Sequence, residues 1–379
     1  MHQRFRICKE RYGKGKDHPE DPGESTDHAK LPRGEDIGTH PHDHTAFACD
    51  DEGRASVKGR VRQKEPYQRI TMKLYAKASL ERNEIMEKIR CGCDGIEYNL
   101  TEEFLLCGDS FQRHYPNEIF TTHNIEVVHV PCLANEQMMH MEHIFQHRDY
   151  SAVRNVFRLA QYCAEIWGHR ILVVIHCGLS MYDFMEYELF RETLEERLGL
   201  LLEEHPLVDM AVENVVAMEY KPDRTEIPRL CNGIFLDTVE IVQYLRERFG
   251  ERIGSVLDTC HAMMTEKYMS LWLREADFYP EGNGEVPARL DYSIEHYFEA
   301  NRQICKLIHF NDFVRNGYRK NHGTGFTSQE KVDHLLGLYR KYRYDCPLTL
   351  EIREEDYDDC VNYRNTKRMI ENNLRRNEG

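Results

Sequence analysis

The chain has 379 residues, 41% hydrophobic and 10% aromatic, with a formal net charge of −15. That length suits one large α/β domain or two medium ones, and the apolar fraction can supply a real core. The charge argues against a general basic surface for nucleic acid, and no run of about 18 apolar residues marks a membrane span. The start, Met1-His2-Gln3-Arg4-Phe5-Arg6, leads into charged sequence without an apolar segment, so no secretory signal is expected. The 13 cysteines are odd in number and scattered, with Cys91 and Cys93 one residue apart and no CxxC pair. This pattern fits free thiols in a reducing, cytoplasmic compartment better than a disulfide framework or a zinc ribbon.

Residues 1–66 form a separate compositional regime. They hold 13 Lys/Arg and 13 Asp/Glu, which cancel, so the whole −15 falls on residues 67–379. They also carry 5 of the 13 prolines and 7 of the 23 glycines, and show neither helical nor strand periodicity. Such a stretch cannot bury enough apolar surface to offset its ordering entropy, and a disordered tail is predicted. Its His40-Pro41-His42-Asp43-His44 cluster reads as solvated polar sequence rather than as a metal site.

From residue 67 onward, short apolar runs alternate with longer amphipathic ones. The first strand is predicted over Ile70–Ala76, followed by a helix over Leu80–Ile89 and a strand over Gly95–Leu100. A third strand covers Ile125–Cys132, a helix Ala152–Trp167, and a fourth strand Ile171–Cys177. Then come a helix over Arg191–Glu204, a strand over Asp209–Val216, a helix over Thr238–Phe249 and a strand over Ser255–Cys260. A helix over Ile294–Cys305 precedes the last two strands, Leu307–Phe313 and Leu348–Ile352. Strands apolar on both faces and separated by helices predict parallel βαβ units. Eight of them over residues 67–379 predict a (β/α)8 TIM barrel rather than an open doubly wound sheet. Trp167 and Trp272 lie in helical patterns and read as packing residues.

The predicted strands end in chemistry: His129, His176, Glu213-Asn214, Asp258 with His261, His309 with Asp312, and Glu351. One histidine on an apolar strand is most often a hydrogen-bonded structural residue. Six strand ends of this kind are another matter, because a barrel delivers all of them to one mouth. Buried charge there is costly unless paired or metal-bound. Mixed imidazole and carboxylate donors suit Zn²⁺, Mn²⁺, Co²⁺ or Fe²⁺ better than Ca²⁺.

Roughly residues 70–360 resemble the xylose-isomerase-like barrel superfamily, which contains endonuclease IV and sugar-phosphate isomerases and epimerases. The endonuclease IV branch is matched by His129-Val130-Pro131-Cys132-Leu133-Ala134-Asn135, His176-Cys177-Gly178 and Glu213-Asn214. Further matches are Leu257-Asp258-Thr259-Cys260-His261, His309-Phe310-Asn311-Asp312, His322 and Glu351. Lys320 stands where that branch has an aspartate, and a cation there opposes a third metal. Its glycine-rich first strand is not matched by Met72-Lys73-Leu74-Tyr75-Ala76-Lys77, and Asn99-Leu100-Thr101-Glu102-Glu103 is acidic where that branch probes DNA with arginine. An acidic rim opposes phosphates. The epimerase branch, similar to D-tagatose 3-epimerase, is matched by Glu213, Asp258, His309 and Glu351, by His261 and Arg315, and by Gly95-Ile96-Glu97.

The epimerase resemblance implies a divalent-metal-dependent isomerase or epimerase acting through a metal-stabilised enediolate. Mn²⁺ or Zn²⁺ is favoured, with Co²⁺, Fe²⁺ or Mg²⁺ also admissible. It implies Glu213, Asp258, His309 and Glu351 as metal ligands, Glu213 and Glu351 as the proton-transferring pair, and His261 and Arg315 as substrate contacts. His129, His176, His261 and His322 are candidates for a second metal or a substrate site. The expected partner is a small sugar or sugar phosphate, with nucleic acid disfavoured and no membrane. A homodimer is compatible with the sequence. The other two readings are an endonuclease-IV-like phosphodiesterase and a metal-binding barrel without catalysis.

Overall fold

A computed structural model describes residues 72–377 except 108–109, 132, 135–136, 139, 142–144, 146–149, 179–183, 186–187, 217, 221–225, 229–234, 273–290, 314–321 and 357–358. The chain falls into two units, Met1–Pro66 and Tyr67–Gly379. The first lies outside the described residues, and the expectation of a disordered tail lies there with it.

In the second unit eight parallel strands close into a barrel in chain order. They are β1 (Leu74–Ala78), β2 (Gly95–Asn99), β3 (Ile125–His129), β4 (Ile171–His176), β5 (Val208–Glu213), β6 (Ile253–Asp258), β7 (Cys305–His309) and β8 (Leu348–Leu350). β1 pairs with both β2 and β8, which shuts the ring and leaves no sheet edge. Helices follow the strands: α1 (Arg82–Arg90), α2 (Tyr150–Trp167), α3 (Glu188–Glu204), α4 (Phe235–Phe249), α5 (Thr259–Trp272), α6 (Ile294–Asn301), α7 (Gln329–Lys341) and α8 (Val361–Asn377). This is the predicted TIM barrel. Among the described residues no helix is long and apolar enough to cross a membrane.

Side chains alternate along each strand, so one set faces the helices and the other fills the barrel. Leu74, Ala76, Ile96, Tyr98, Val128, Val173, Ile175, Met210, Val212, Leu257, Ile308 and Leu350 belong to the outer core with helix residues such as Val153, Leu198, Leu245 and Leu335. Tyr75, Val127, Val174, Ala211, Val256 and Leu307 form a second, inner cluster. Gly95 belongs to this inner layer by position. A Cβ there would lie 2.6 Å from Glu126 Cγ and 3.1 Å from the ring of Tyr75, so both side chains would have to shift for a larger residue. Leu307 is fully buried in the layer. Leu307→Ala is expected to cost about 2–5 kcal/mol, because a closed ring collapses poorly onto a cavity; urea unfolding measures it.

The strand boundaries differ from expectation for identifiable reasons. β1 runs on through Lys77 instead of ending at Ala76, because the lysine is paired rather than solvated: its Nζ lies 3.4 Å from buried Glu97. β3 stops at His129, before Pro131, which has no N–H for a ladder. The Leu257–Cys260 run, expected to finish a strand, is split instead, with Asp258 closing β6 and Thr259 opening α5. Asp258 Oδ1 accepts from the His261 backbone N–H at 2.7 Å, the bond of a helix N-cap. Helix α6 ends at Asn301, so Cys305 starts β7 instead of ending the helix.

Three two-stranded hairpins extend the loops after β3, β5 and β7. They pair Leu133–Ala134 with Gln137–Met138, Met218–Tyr220 with Glu226–Pro228, and Asp312–Phe313 with His322–Thr324. Gly323 and Thr324 are thus strand residues, with Gly323 at φ 70°.

Candidate metal centre

Moving two residues toward the carboxyl end from the inner layer reaches Lys77, Glu97, His129, His176, Glu213, Asp258, His309 and Glu351. Every barrel strand, or the residue just after it, thus presents an ionisable side chain at the same level. All are buried except Glu351, whose side chain is 23% exposed. Isolated charges at this depth would be costly; convergence is what makes them tolerable.

Glu213 on β5 lies at the middle of the group. Its Oε2 is 2.9 Å from His129 Nε2 and 3.5 Å from His176 Nε2. Its Oε1 is 3.4 Å from both His309 Nδ1 and His261 Nδ1. His309 Nδ1 also lies 2.9 Å from Glu351 Oε2 and 3.8 Å from Asp258 Oδ2. One ligand atom from each of Glu213, Asp258, His309 and Glu351 falls within a 4.8 Å set. Two further sets meet the same limit: His129, His176 and Glu213, and Glu97, His129 and His309.

Neighbours fix these side chains. His309 Nε2 is 3.1 Å from Glu97 Oε2 and donates to it, which turns Nδ1 toward the quartet. Carboxylate behind histidine is the usual support of a metal-binding imidazole. His129 Nδ1 is 2.6 Å from the Val130 carbonyl and donates to it, which leaves Nε2 facing the Glu213 carboxylate. A proton or a cation has to lie between those two acceptors. Asp258 accepts from Asn311 Nδ2 at 3.2 Å, and its own N–H donates to Asn214 Oδ1 at 2.8 Å. Asn214 and Asn311 thus brace the strand ends on either side of β6.

The electrostatics favour a cation. Burial pushes the His309 pKa down, but Glu97 and Glu213 outweigh it and hold the imidazole well above its usual value. Burial would raise Glu213, yet the imidazoles of His309 and His176 bring it well below the carboxylate range. Glu351 is likewise held low against its burial, by Lys77 and His309. Burial raises Asp258, with the charges of Glu213 and Glu351 adding to it against His261. Burial holds the His176 pKa well below 6.5, with Glu213 acting against it.

The donor set fits a divalent ion. His309 Nδ1 and Glu351 Oε2 are both buried and without a hydrogen-bond partner, although only 2.9 Å apart. Ligands about 2.0–2.2 Å from one ion lie about 3.0–3.5 Å from each other, which is the scale of the quartet. One nitrogen and three carboxylates suit Mn²⁺ or Zn²⁺.

Of the residues singled out from sequence, Glu213, Asp258, His309 and Glu351 come together, with His129, His176 and His261 around Glu213. The backbone of His322 pairs with Phe313 in the hairpin after β7. Arg315 and Lys320 lie outside the described residues. Asp312 belongs to none of the three metal-ligand sets; it accepts from Lys331 Nζ at 2.7 Å. Trp167 packs against the core as expected, its Nε1 donating to the Phe120 carbonyl at 3.0 Å.

Sequence reasoning did not give roles to Lys77, Glu97 and His140. The first two were legible as interior charges once strand parity is applied. His140 has no such signal: a bridge sets it beside His176, with ring centroids 6.3 Å apart. Gly178 leaves the room, since a Cβ there would lie 2.3 Å from that of His140.

No protein-family model matches the chain. No curated protein matches it either. Among solved structures, a D-tagatose 3-epimerase-like protein matches at 13% identity and TM-score 0.47, over 80% of this chain and 99% of that one. A xylose isomerase domain protein from Planctomyces limnophilus matches at 10% identity and TM-score 0.48, over 81% and 98%. Endonuclease IV from Thermus thermophilus matches at 12% identity and TM-score 0.44, over 79% and 99%. These proteins are what the barrel is similar to, and their chemistry is theirs.

Proposed function

We propose that the barrel is a divalent-metal-dependent isomerase or epimerase of a small sugar or sugar phosphate. The observation that carries this reading is the quartet of Glu213, Asp258, His309 and Glu351, in which two carboxylates from strands three apart flank one imidazole nitrogen. When bound there, the ion supplies Lewis acidity toward neighbouring hydroxyl and carbonyl oxygens. Glu213 and Glu351 are the pair that removes a carbon-bound proton and returns it. Asp258 and His309 hold the site, Glu97 orients His309, and the layer of buried strand-end groups excludes bulk water. His261, whose Nδ1 donates to the Asn214 carbonyl at 2.7 Å, is assigned the task of orienting a substrate oxygen. Arg315, six residues after His309, is assigned the same task.

One observation favours a second reading, a phosphodiesterase like endonuclease IV. The Oε2 face of Glu213, with His129 and His176, forms a second ligand set that shares this carboxylate with the quartet. Two ions bridged by a carboxylate are a hydrolytic arrangement. Elemental analysis of the purified full chain tests the pair of readings. About one ion per chain, with solvent deuterium entering a sugar substrate, supports the isomerase; two ions and cleavage of an abasic duplex replace it with the hydrolase.

A further expectation concerns pH. Because His309 is held protonated well above its usual range, an ion has to displace its proton. While that proton remains bound, each unit rise in pH is expected to tighten metal binding by about tenfold. Calorimetric titration with Mn²⁺ at several pH values measures the slope. A flat profile would show that His309 is not a ligand.

A further inference from the structure

Within the layer of eight strand-end side chains, Lys77 is the one group of fixed positive charge. It stands on β1 between β2 and β8, opposite Glu97 in the β1–β2 register and one step beyond the Ala76–Leu350 pair in the β1–β8 register. Its Nζ lies 3.0 Å from Glu351 Oε1 and 3.4 Å from Glu97 Oε1, and its side chain is 7% exposed. Glu97 supports His309 through its other oxygen, and Glu351 turns its other oxygen into the quartet. Lys77 therefore touches one metal-ligand candidate directly and the support of another.

We propose that Lys77 is a positioning residue that serves as a built-in counter-cation to the metal centre. It neutralises Glu97 and Glu351 in the metal-free barrel and leaves Glu351 only Oε2 to offer an ion. This inference rests on the metal-dependent reading of the quartet. Two effects of opposite sign follow from one charge. Without an ion, carboxylates gathered this closely repel one another, and a buried ammonium between two of them lowers that repulsion. With an ion bound, the same ammonium repels it across a partly desolvated gap. A lysine that merely packed would affect both states alike.

The test uses the full chain, Mn²⁺ alone as probe, and Lys77→Gln, which keeps a hydrogen-bond donor and removes the charge. Calorimetry is expected to show Mn²⁺ binding at least about tenfold tighter than wild type. Thermal unfolding in chelator should start from a lower midpoint than wild type, and saturating Mn²⁺ should close most of that gap. Lys77→Arg, which keeps the charge, should bind within about threefold of wild type. In a Glu351→Gln background the effect of Lys77→Gln on affinity should be smaller than in the wild-type background, since the part that acts through that carboxylate is gone while the direct repulsion of the ion remains. This pair also keeps the comparison open if Lys77→Gln alone folds poorly. Weaker or unchanged Mn²⁺ binding in Lys77→Gln, or midpoints lowered equally with and without Mn²⁺, would overturn the proposal. If wild type itself takes up no Mn²⁺, the metal reading of the quartet falls as well.

Discussion

Glu213→Gln is expected to leave the barrel folded and to remove most of its metal binding and activity. The carboxylate reaches four imidazoles, His129, His176, His261 and His309, through its two oxygens. Glutamine keeps the shape but replaces one oxygen with a donor, which has to face either the His129–His176 side or the His309–His261 side. Changes behind a ligand commonly cost 10–100-fold in metal affinity, and loss of a ligand charge at the centre should exceed about a hundredfold. Proton exchange at the substrate carbon should fall by roughly 10²–10⁴-fold, the usual worth of general acid–base catalysis. Calorimetry and deuterium incorporation measure the two losses separately. Unchanged metal affinity in this variant would remove Glu213 from the ligand set, and retained exchange in Glu351→Gln would sink the proton-transfer scheme.

His129→Ala and His176→Ala carry the other large expected effect, and its size depends on the reaction. Both imidazoles face Glu213 Oε2, and both lie outside the quartet. In a one-ion isomerase they orient a ligand, and each substitution should cost about tenfold or less. In a two-ion hydrolase each removes a ligand outright, so the ion count should drop and cleavage of an abasic duplex should vanish. The inner face of the barrel mouth carries four carboxylates, Glu97, Glu213, Asp258 and Glu351, which disfavours a polyanionic substrate. Robust cleavage of abasic DNA by the wild type, lost in both variants, would decide for the hydrolase.

The barrel and the ring of ionisable strand ends were legible in the sequence for a simple reason. Both depend on short-range patterns: apolar runs of strand length, helical periodicity between them, and a charged residue closing nearly every run. His129, His176, Glu213, Asp258, His309 and Glu351 end those runs, and a closed parallel barrel brings all its strand ends to one face; the choice of four of them as ligands came from the family resemblance. What no linear pattern contains is the meeting of β1 with β8. Lys77 looked like the end of an apolar run, and only ring closure puts Glu97 on one side of it and Glu351 on the other. Charge reads as exposure until a partner far along the chain makes burial tolerable. The Asp258–His261 break is of the same kind. Thr259 and Cys260 fit a strand locally, but the Asp258 carboxylate caps a helix there, and His261 comes to Glu213 from the first turn of α5. His140 depends wholly on tertiary structure, since only the lack of a side chain at Gly178 admits it beside His176. Sequence thus determined that ionisable groups close most of the strands, whereas the closed ring decided which of them face each other and which already have a cation for a neighbour.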